Sequence, residues 1–163
     1  MVVNTNKKIE DLLFQVSDPE IPVLSIMDMG IVRSIEQNGK DLLIEITPTY
    51  SGCPAMDVIG DEIKKVLEAE GYTVKVKLVL SPAWTTDWIT ENGRNKLEKY
   101  GIAPPMEPTA DKAALYGEAK IVKCPQCQSQ NTRVVSQFGS TACKALFQCN
   151  ECLEPFDYFK CLK

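Results

Sequence analysis

Two short cysteine pairs near the C-terminus limit the fold of this chain more than any other feature. Each pair, Cys124-Pro-Gln-Cys127 and Cys149-Asn-Glu-Cys152, leaves two residues between its thiols. A pair with that spacing can bend around one cation, and two pairs supply the four ligands of a tetrahedral site. The pattern predicts a zinc ribbon in which the segment between the pairs forms a β-hairpin. Because four thiolates leave no open coordination position, we expect one structural zinc ion per chain.

The N-terminus and the hydropathy of the chain indicate the compartment in which these cysteines are found. The first residues, MVVNTNKKIEDLLF, lack the continuous apolar segment of a signal peptide, and no run reaches the roughly 18 apolar residues of a membrane helix. We therefore expect a cytoplasmic protein without a membrane partner, in a compartment that disfavours disulfides. Rubredoxin-like iron is the alternative to zinc, since iron also binds two such pairs.

Two further cysteines, Cys143 and Cys161, flank the second pair. If the segments before and after that pair run antiparallel, these residues lie nearly opposite each other, and their thiols would be cross-strand neighbours. One interpretation is two half-buried small residues in a β-ribbon. The other is a redox pair or a transient second metal site.

The first hundred residues carry the periodicities of a small α+β domain. Apolar residues recur at helical spacing in residues 54–70 and alternate with lysines in residues 72–80, which predicts an amphipathic helix and a half-buried strand. Asn38-Gly39 joins two β-rich runs and predicts a hairpin. The predicted helices are 7–16, 54–70 and a third from an N-cap at Thr85 or Thr86 to Tyr100, and the predicted strands are 31–37, 41–47 and 72–80.

These elements predict the domain organisation. Three prolines, Pro104, Pro105 and Pro108, follow the last predicted helix and indicate a linker. We expect an α+β layer domain with helices on a mixed, partly antiparallel sheet over residues 1–103, a linker over 104–120 and the four-cysteine zinc ribbon over 121–163. Since so short a ribbon cannot bury a large core, a bound metal should decide whether it folds.

Cys53 lies outside the ribbon, in the segment TPTYSGCPAMDVI. Pro54 suits the first position of the predicted helix, which makes Cys53 the expected N-cap. The positive end of the helix would favour the thiolate and lower the pKa of Cys53, although Asp57 in the first turn opposes that shift. The alternative is a small buried residue that happens to lie in a turn.

The absence of histidine and the net charge of −4 exclude several classes of function. Without imidazole there is no Ser-His or Cys-His nucleophile pair and no Glu-x-x-His di-iron site. The acidic N-terminal part also lacks the clustered Lys and Arg that contact phosphates. A zinc-ribbon nucleic-acid binder is therefore the weakest function considered, and we expect no nucleic-acid partner.

Several longer segments resemble a known family. They are similar to the D subunit of the bacterial phenylacetyl-CoA epoxidase system, the PaaD/PaaJ family, from Val16 to Cys161: SDPEIPVLSIMDMGIV, ITPTYSGCPAM, VLSPAWTTDWIT, FGSTACKALF and EPFDYFKC. Within this resemblance, the DPE motif, the step from Asp28 to Gly30, and Cys53-Pro54 are similar to the small α+β domain of SufT-type iron–sulfur maturation proteins.

The resemblance implies a non-catalytic accessory of a multicomponent monooxygenase that epoxidises the ring of phenylacetyl-CoA in aerobic phenylacetate degradation. Its implied task is assembly or maintenance of iron or iron–sulfur centres in its partners, the di-iron oxygenase or the flavin and [2Fe-2S] reductase subunit. Cys53 is then the candidate ligand that holds iron or a cluster fragment transiently, supported by Asp18, Glu20 and Asp28. A homodimer would contribute a second Cys53. The alternative function is a structural docking subunit of the epoxidase.

Overall fold

The computed structural model describes residues 6–106 and 122–160. Backbone contacts divide the chain into two compact units. The first unit comprises the residues up to Trp84 together with Trp88–Gly93, and the second comprises Thr85–Asp87 together with the residues from Arg94 onward. The predicted domain limit at residue 103 differs from this division. Most of the predicted linker lies outside the described residues, so the domain organisation 1–103, 104–120 and 121–163 stays a prediction.

The first unit combines two helices with a three-stranded sheet. Its elements are α1 (Lys7–Leu13), β1 (Val32–Asn38), β2 (Asp41–Ile46), α2 (Ala55–Glu68) and β3 (Thr73–Leu78). β1 and β2 form the predicted antiparallel hairpin, and Gly39 in its turn has the positive φ that the hairpin requires. β3 lies parallel to β2, so α2 is the crossover between them. The predicted α+β class with a mixed sheet is confirmed.

The amphipathic pattern of α2 determines which of its faces is buried. Ile59, Ile63 and Leu67 are at most 1% exposed and recur at helical spacing. They contribute to a core that also includes Leu42 and Ile44 of the sheet. No helix among the described residues is both long and apolar enough to cross a membrane.

Two predicted elements of the first unit are corrected. α1 ends at Leu13 instead of residue 16, because the backbone oxygen of Val16 accepts a hydrogen bond from Ile26 N at 3.0 Å and therefore belongs to an extended segment. The strand predicted over 72–80 buries fewer of its apolar side chains than the alternating pattern indicates. The strand ends at Leu78 instead of residue 80, so Leu80 lies beyond it, and Leu78 and Leu80 are 51% and 58% exposed.

The third helix begins later than predicted. A short 3-10 helix occupies Thr86–Trp88, and α3 runs over Glu91–Tyr100. The predicted N-cap at Thr85 or Thr86 is wrong, since the hydroxyl of Thr90 accepts a hydrogen bond from Gly93 N at 3.0 Å. Thr90 is therefore the residue with the capping contact.

The second unit contains a four-stranded sheet. Its strands are β4 (Ile102–Ala103), β5 (Thr132–Ser136), β6 (Lys144–Cys149) and β7 (Pro155–Phe159), in the order β4-β7-β6-β5. β5, β6 and β7 pair antiparallel, and β4 pairs parallel with β7. The β-hairpin predicted between the cysteine pairs is confirmed, as is the ribbon architecture.

Candidate metal-binding sites

The ribbon brings its two cysteine pairs together at one point. The sulfur atoms of Cys124, Cys127, Cys149 and Cys152 all lie within 4.8 Å of one another. Two of the separations are 3.7 Å, between Cys124 and Cys152, and 3.5 Å, between Cys127 and Cys149. A tetrahedron with metal–sulfur bonds of about 2.3 Å has edges of about 3.8 Å. The four thiols thus form a closed metal site, and their spacing fits a single tetrahedral cation.

The backbone of both cysteine pairs bends in the same way. Gln128 follows Cys127 with a φ of 61°, and Leu153 follows Cys152 with a φ of 64°. A positive φ is costly for residues other than glycine, and it is seldom adopted unless the surrounding structure imposes it. In the first pair, Gln128 N also donates a hydrogen bond to the backbone oxygen of Cys124 at 2.9 Å. Both pairs therefore close into tight knuckles that aim two thiols at the same point.

Hydrogen bonds and burial shift the pKa values of the clustered thiols in different directions. The backbone N–H groups of Cys152 and Glu151 lower the pKa of Cys149 to about 7. The N–H of Glu154 favours the thiolate of Cys152, but burial and the neighbouring thiols outweigh it and raise the pKa of Cys152 to about 12. One thiol of the set is thus partly ionised near neutral pH, whereas others must lose a proton when a cation binds.

A small aromatic cluster supports this metal site. The ring of Phe147 lies 6.0 Å from that of Phe156 and 5.5 Å from that of Tyr158. These rings belong to the same buried cluster as Cys124 and Cys149, which are both 0% exposed. Half of the metal site is therefore part of the core of the ribbon, which makes metal binding and packing mutually dependent.

The register of the ribbon changes the predicted neighbour of Cys143. Lys144 pairs with Phe159, and Lys160 N donates a hydrogen bond to the backbone oxygen of Cys143 at 2.9 Å. Lys160, and not Cys161, is therefore the residue opposite Cys143. Cys161 lies outside the described residues, so the thiol pair Cys143 and Cys161 stays a prediction.

Cys53 lies in a turn that precedes α2. Its backbone N–H donates to the oxygen of Tyr50 at 3.3 Å, and Gly52 in the third position of this turn has a φ of 81°. The predicted capping role of Cys53 is wrong, because Pro54 occupies the N-cap position and α2 begins at Ala55. Cys53 is therefore one residue farther from the helix than expected, and its side chain is half-buried.

The surroundings of Cys53 disfavour its thiolate. Burial is the largest contribution, and it raises the pKa of Cys53 above its ordinary value. Hydrogen bonds from the Ala55 N–H and from the Tyr50 side chain lower the pKa, while the charges of Glu20 and Asp18 raise it further. The expected lowering of the pKa is thus wrong, because burial and the two carboxylates outweigh the hydrogen bonds. The same observation places Glu20 and Asp18 within electrostatic range of the thiol.

Asp18 and Asp28 also make structural contacts. Asp18 Oδ1 accepts hydrogen bonds from the backbone N–H groups of Glu20 and Ile21, at 2.7 and 2.9 Å. The buried carboxylate of Asp28 accepts from the Thr90 hydroxyl at 2.8 Å and from the side-chain amide of Asn92 at 3.0 Å. Asp28 therefore holds the segment before α3 in place.

Sequence reasoning missed Tyr50 as a neighbour of Cys53. The signal was present, since Tyr50 and Cys53 are the first and fourth residues of a turn whose third residue is Gly52. The first and fourth residues of such a turn are brought close together. Tyr50 should therefore be counted with the Cys53 site.

Comparison with known proteins supports both units. Residues 108–160 match the family described as "PaaD zinc beta ribbon domain", and residues 6–83 match "Iron-sulfur cluster assembly protein". A protein of Escherichia coli (strain K12), whose name describes the D component of a "Putative 1,2-phenylacetyl-CoA epoxidase", is 51% identical over 152 residues, which are 93% of this chain and 90% of that protein. The chain belongs to the PaaD family. The predicted resemblance to this family is confirmed.

Two further relatives match part of this PaaD family member. The "Fe-S protein maturation auxiliary factor YitW" of Bacillus subtilis (strain 168) is 38% identical over 78 residues, or 46% of this chain and 76% of that protein. A crystal structure of a "Domain of Unknown Function DUF59" from Bacillus anthracis is 26% identical with a TM-score of 0.53, and the match covers 56% of this chain and 89% of that one. The predicted similarity of the first unit to iron–sulfur maturation proteins is thereby confirmed.

Proposed function

We propose that this protein is a non-catalytic accessory of the phenylacetyl-CoA epoxidase that assists assembly or maintenance of its iron or iron–sulfur centres. The observation that carries the proposal is the half-buried thiol of Cys53 within electrostatic range of the carboxylates of Glu20 and Asp18, in a unit of the iron–sulfur assembly type. A thiolate is a ligand suited to a borderline cation such as ferrous iron, and nearby carboxylates add negative charge that attracts a cation.

In this proposal the cation or cluster fragment is a substrate that the chain binds transiently and then passes on. Burial and the adjacent carboxylates keep the Cys53 thiol from ionising readily, so a cation must displace its proton. A single thiolate holds iron loosely, which allows transfer to a client site with more ligands. The Tyr50 side chain orients the sulfur through its hydrogen bond. A homodimer with two copies of Cys53 would hold the cargo more firmly.

The four-cysteine site has a different role in this proposal. Zinc is the ion that best fits four thiolates with no open position, at one ion per chain. Its contribution is structural, because two of its ligands belong to the small core of the ribbon. Cys143 and Cys161 are not needed for this role.

The proposed partners are the other components of the epoxidase system, either the oxygenase or the reductase. This part of the proposal rests on the name of the 51% identical relative, which describes it as one subunit of the epoxidase. The same name favours the second candidate, a docking subunit that holds the complex together. A cytoplasmic location stays a prediction.

Replacement of Cys53 by serine tests the assembly role. The epoxidase components are expressed with the unsubstituted chain, with Cys53→Ser and with the control Ser51→Ala, which changes an exposed residue of the same turn. We expect Cys53→Ser alone to lower the iron content of the oxygenase or the cluster content of the reductase, measured by metal analysis and visible absorbance. Full occupancy with normal epoxidation would disprove the assembly role of Cys53.

The docking role requires a separate experiment. If the protein is a docking subunit, the remaining components should fail to assemble in its absence, as measured by size-exclusion chromatography with light scattering. An intact complex without it would exclude that role and leave the assembly proposal untouched.

A further inference from the structure

The four clustered thiols differ in their accessibility to solvent. Cys127 and Cys152 are exposed, whereas Cys124 and Cys149 are fully buried in the core of the ribbon. Each cysteine pair therefore contributes one exposed and one buried thiol. Because a thiolate must be reached before it can be oxidised, a small oxidant in solution reaches the two exposed sulfur atoms first.

Each exposed thiol lies against a buried thiol of the opposite pair. The sulfur of Cys127 is 3.5 Å from that of Cys149, and the sulfur of Cys152 is 3.7 Å from that of Cys124. A disulfide bond is about 2.05 Å long, so the two sulfur atoms of each couple need to approach by roughly 1.5 Å. The separations that suit one tetrahedral cation thus also allow a bond between the pairs after a small movement.

A bond of this kind would connect the same parts of the chain as the metal does. Cys127 precedes β5, and Cys149 is the last residue of β6. A disulfide between them would therefore hold the first pair against the sheet in the absence of a metal. A bond within one pair would instead close a loop around two intervening residues and leave the two pairs unconnected.

We propose that the four-cysteine site is also a modification site for hydroperoxides, which oxidise it to disulfides between the pairs, Cys127 with Cys149 and Cys124 with Cys152. The oxidation releases the zinc ion and leaves the ribbon folded. This role goes beyond the structural one, and it does not require that Cys53 carries iron.

One hydroperoxide is consumed for each disulfide. The Cys127 thiolate attacks the terminal oxygen of the hydroperoxide, the O–O bond breaks, and a proton from solvent completes the water or alcohol that leaves. The Cys149 thiolate then attacks the sulfur of the resulting sulfenic acid, which forms the S–S bond and expels hydroxide, and a second proton converts the hydroxide to water. Two thiolates thus lose two electrons, and the hydroperoxide gains them.

The loss of zinc follows from the number of ligands that remain. One disulfide removes two of the four thiolates, and a disulfide sulfur is a far poorer ligand than the thiolate that the cation binds. The site then no longer holds the ion tightly. The second disulfide forms in the same way from the other exposed thiol, Cys152, and its buried neighbour.

Zinc release and disulfide mapping on the zinc-loaded full-length chain test the proposal. Hydrogen peroxide is added in small excess, released zinc is measured with a chromophoric chelator, and unreduced peptides are mapped by mass spectrometry. We expect about one zinc ion released per chain and peptides joined through Cys127 and Cys149 or through Cys124 and Cys152. Cys143→Ser is the control, because Cys143 is outside the cluster, and it should release zinc as the unsubstituted chain does.

A second measurement compares the oxidised chain with a chain from which a chelator has removed zinc under reducing conditions. Both are free of metal, but only the oxidised chain has a covalent link between the pairs. We expect amide hydrogens in residues 122–160 to exchange at least about tenfold more slowly in the oxidised chain. Reduction with a thiol in the presence of zinc should restore the exchange rates of the untreated protein.

The outcomes separate this proposal from the assembly role. Zinc that stays bound in excess peroxide would overturn the proposal, as would disulfides within a pair or sulfinic acids in place of disulfides. Equal exchange rates in the oxidised and the zinc-stripped chain would also overturn it, because the disulfides would then not replace the metal. None of these results changes the iron content of the epoxidase components, which tests Cys53 independently.

Discussion

Replacing Cys127 by serine should remove one metal ligand while leaving the packed part of the ribbon intact. The Cys127 side chain is exposed, whereas Cys124 and Cys149 are fully buried and belong to the core. A serine at position 127 therefore changes metal binding with little effect on packing. We expect the variant to retain the ribbon fold in excess zinc and to lose it at zinc concentrations that still saturate the unsubstituted protein.

The expected loss of affinity follows from the geometry of the site. The sulfur separations of 3.7 and 3.5 Å are close to the edge of one tetrahedron, and to first order we assign each of the four ligands an equal share of the binding free energy. Structural zinc sites supply roughly 10–16 kcal/mol of binding free energy at neutral pH. Loss of one quarter of that contribution raises the Kd on the order of a hundredfold or more.

Competition with a chromophoric zinc chelator measures this change. Cys143→Ser is the control, because Cys143 is not among the four clustered cysteines, and it should retain one zinc per chain. Cys124→Ser should bind zinc as weakly as Cys127→Ser and be less stable by roughly a further 1–3 kcal/mol, since it buries an unpaired hydroxyl. A Kd for Cys127→Ser within about threefold of the original value would refute the four-thiolate assignment.

Two further predictions concern stability, both measured by denaturant unfolding. Gly30→Ala should destabilise the first unit by about 2–3 kcal/mol, since its Cβ would lie 2.3 Å from the backbone oxygen of Trp88 at a φ of +67°. Gly39→Ala is the control with a similar φ and nothing within 4 Å, and a loss as large as that of Gly30→Ala would contradict the steric reasoning. In Lys160→Met, removal of a charge whose pKa burial lowers should favour the second unit at pH 7, against the loss of the Nζ hydrogen bond to the Gln137 oxygen and of the contact with the Phe138 ring. Between the lowered pKa and 10.5, the unfolded chain binds more protons than the folded chain, so the stability of the unsubstituted chain rises with pH. The stability of Lys160→Met relative to the unsubstituted chain should therefore fall through that window. A stability difference that stays constant from about pH 7 to 11 would contradict this cause.

Much of the first unit could be predicted because its signals are local. The hairpin at Asn38-Gly39 follows from the positive φ that a two-residue turn needs, and Gly39 has it. α2 follows from apolar residues at helical spacing, and the predicted 54–70 differs from Ala55–Glu68 by one residue at the start and two at the end. The cluster of four cysteines could be predicted from the two-residue spacing within each pair, which is also a local property.

The predictions that failed depend on contacts between distant residues. The start of α3 depends on Asp28, whose carboxylate holds Thr90 and Asn92 from more than sixty residues away. The pKa of Cys53 depends on burial and on carboxylates supplied by another segment. The neighbour of Cys143 depends on a ribbon register that a shift of one residue would change.

The sequence by itself determined the elements, the chemistry of the ribbon and the family, because turn residues, periodicity and ligand spacing act over a few neighbouring positions. Only the tertiary structure decided the environment of Cys53 and the exposure of Leu78 and Leu80. Both depend on which segments pack around them, and burial and electrostatic fields are sums over residues that are remote in the chain. Burial and the charges of Glu20 and Asp18 therefore raise the pKa of the Cys53 thiol, whereas the helix end in the local pattern favours a lower pKa.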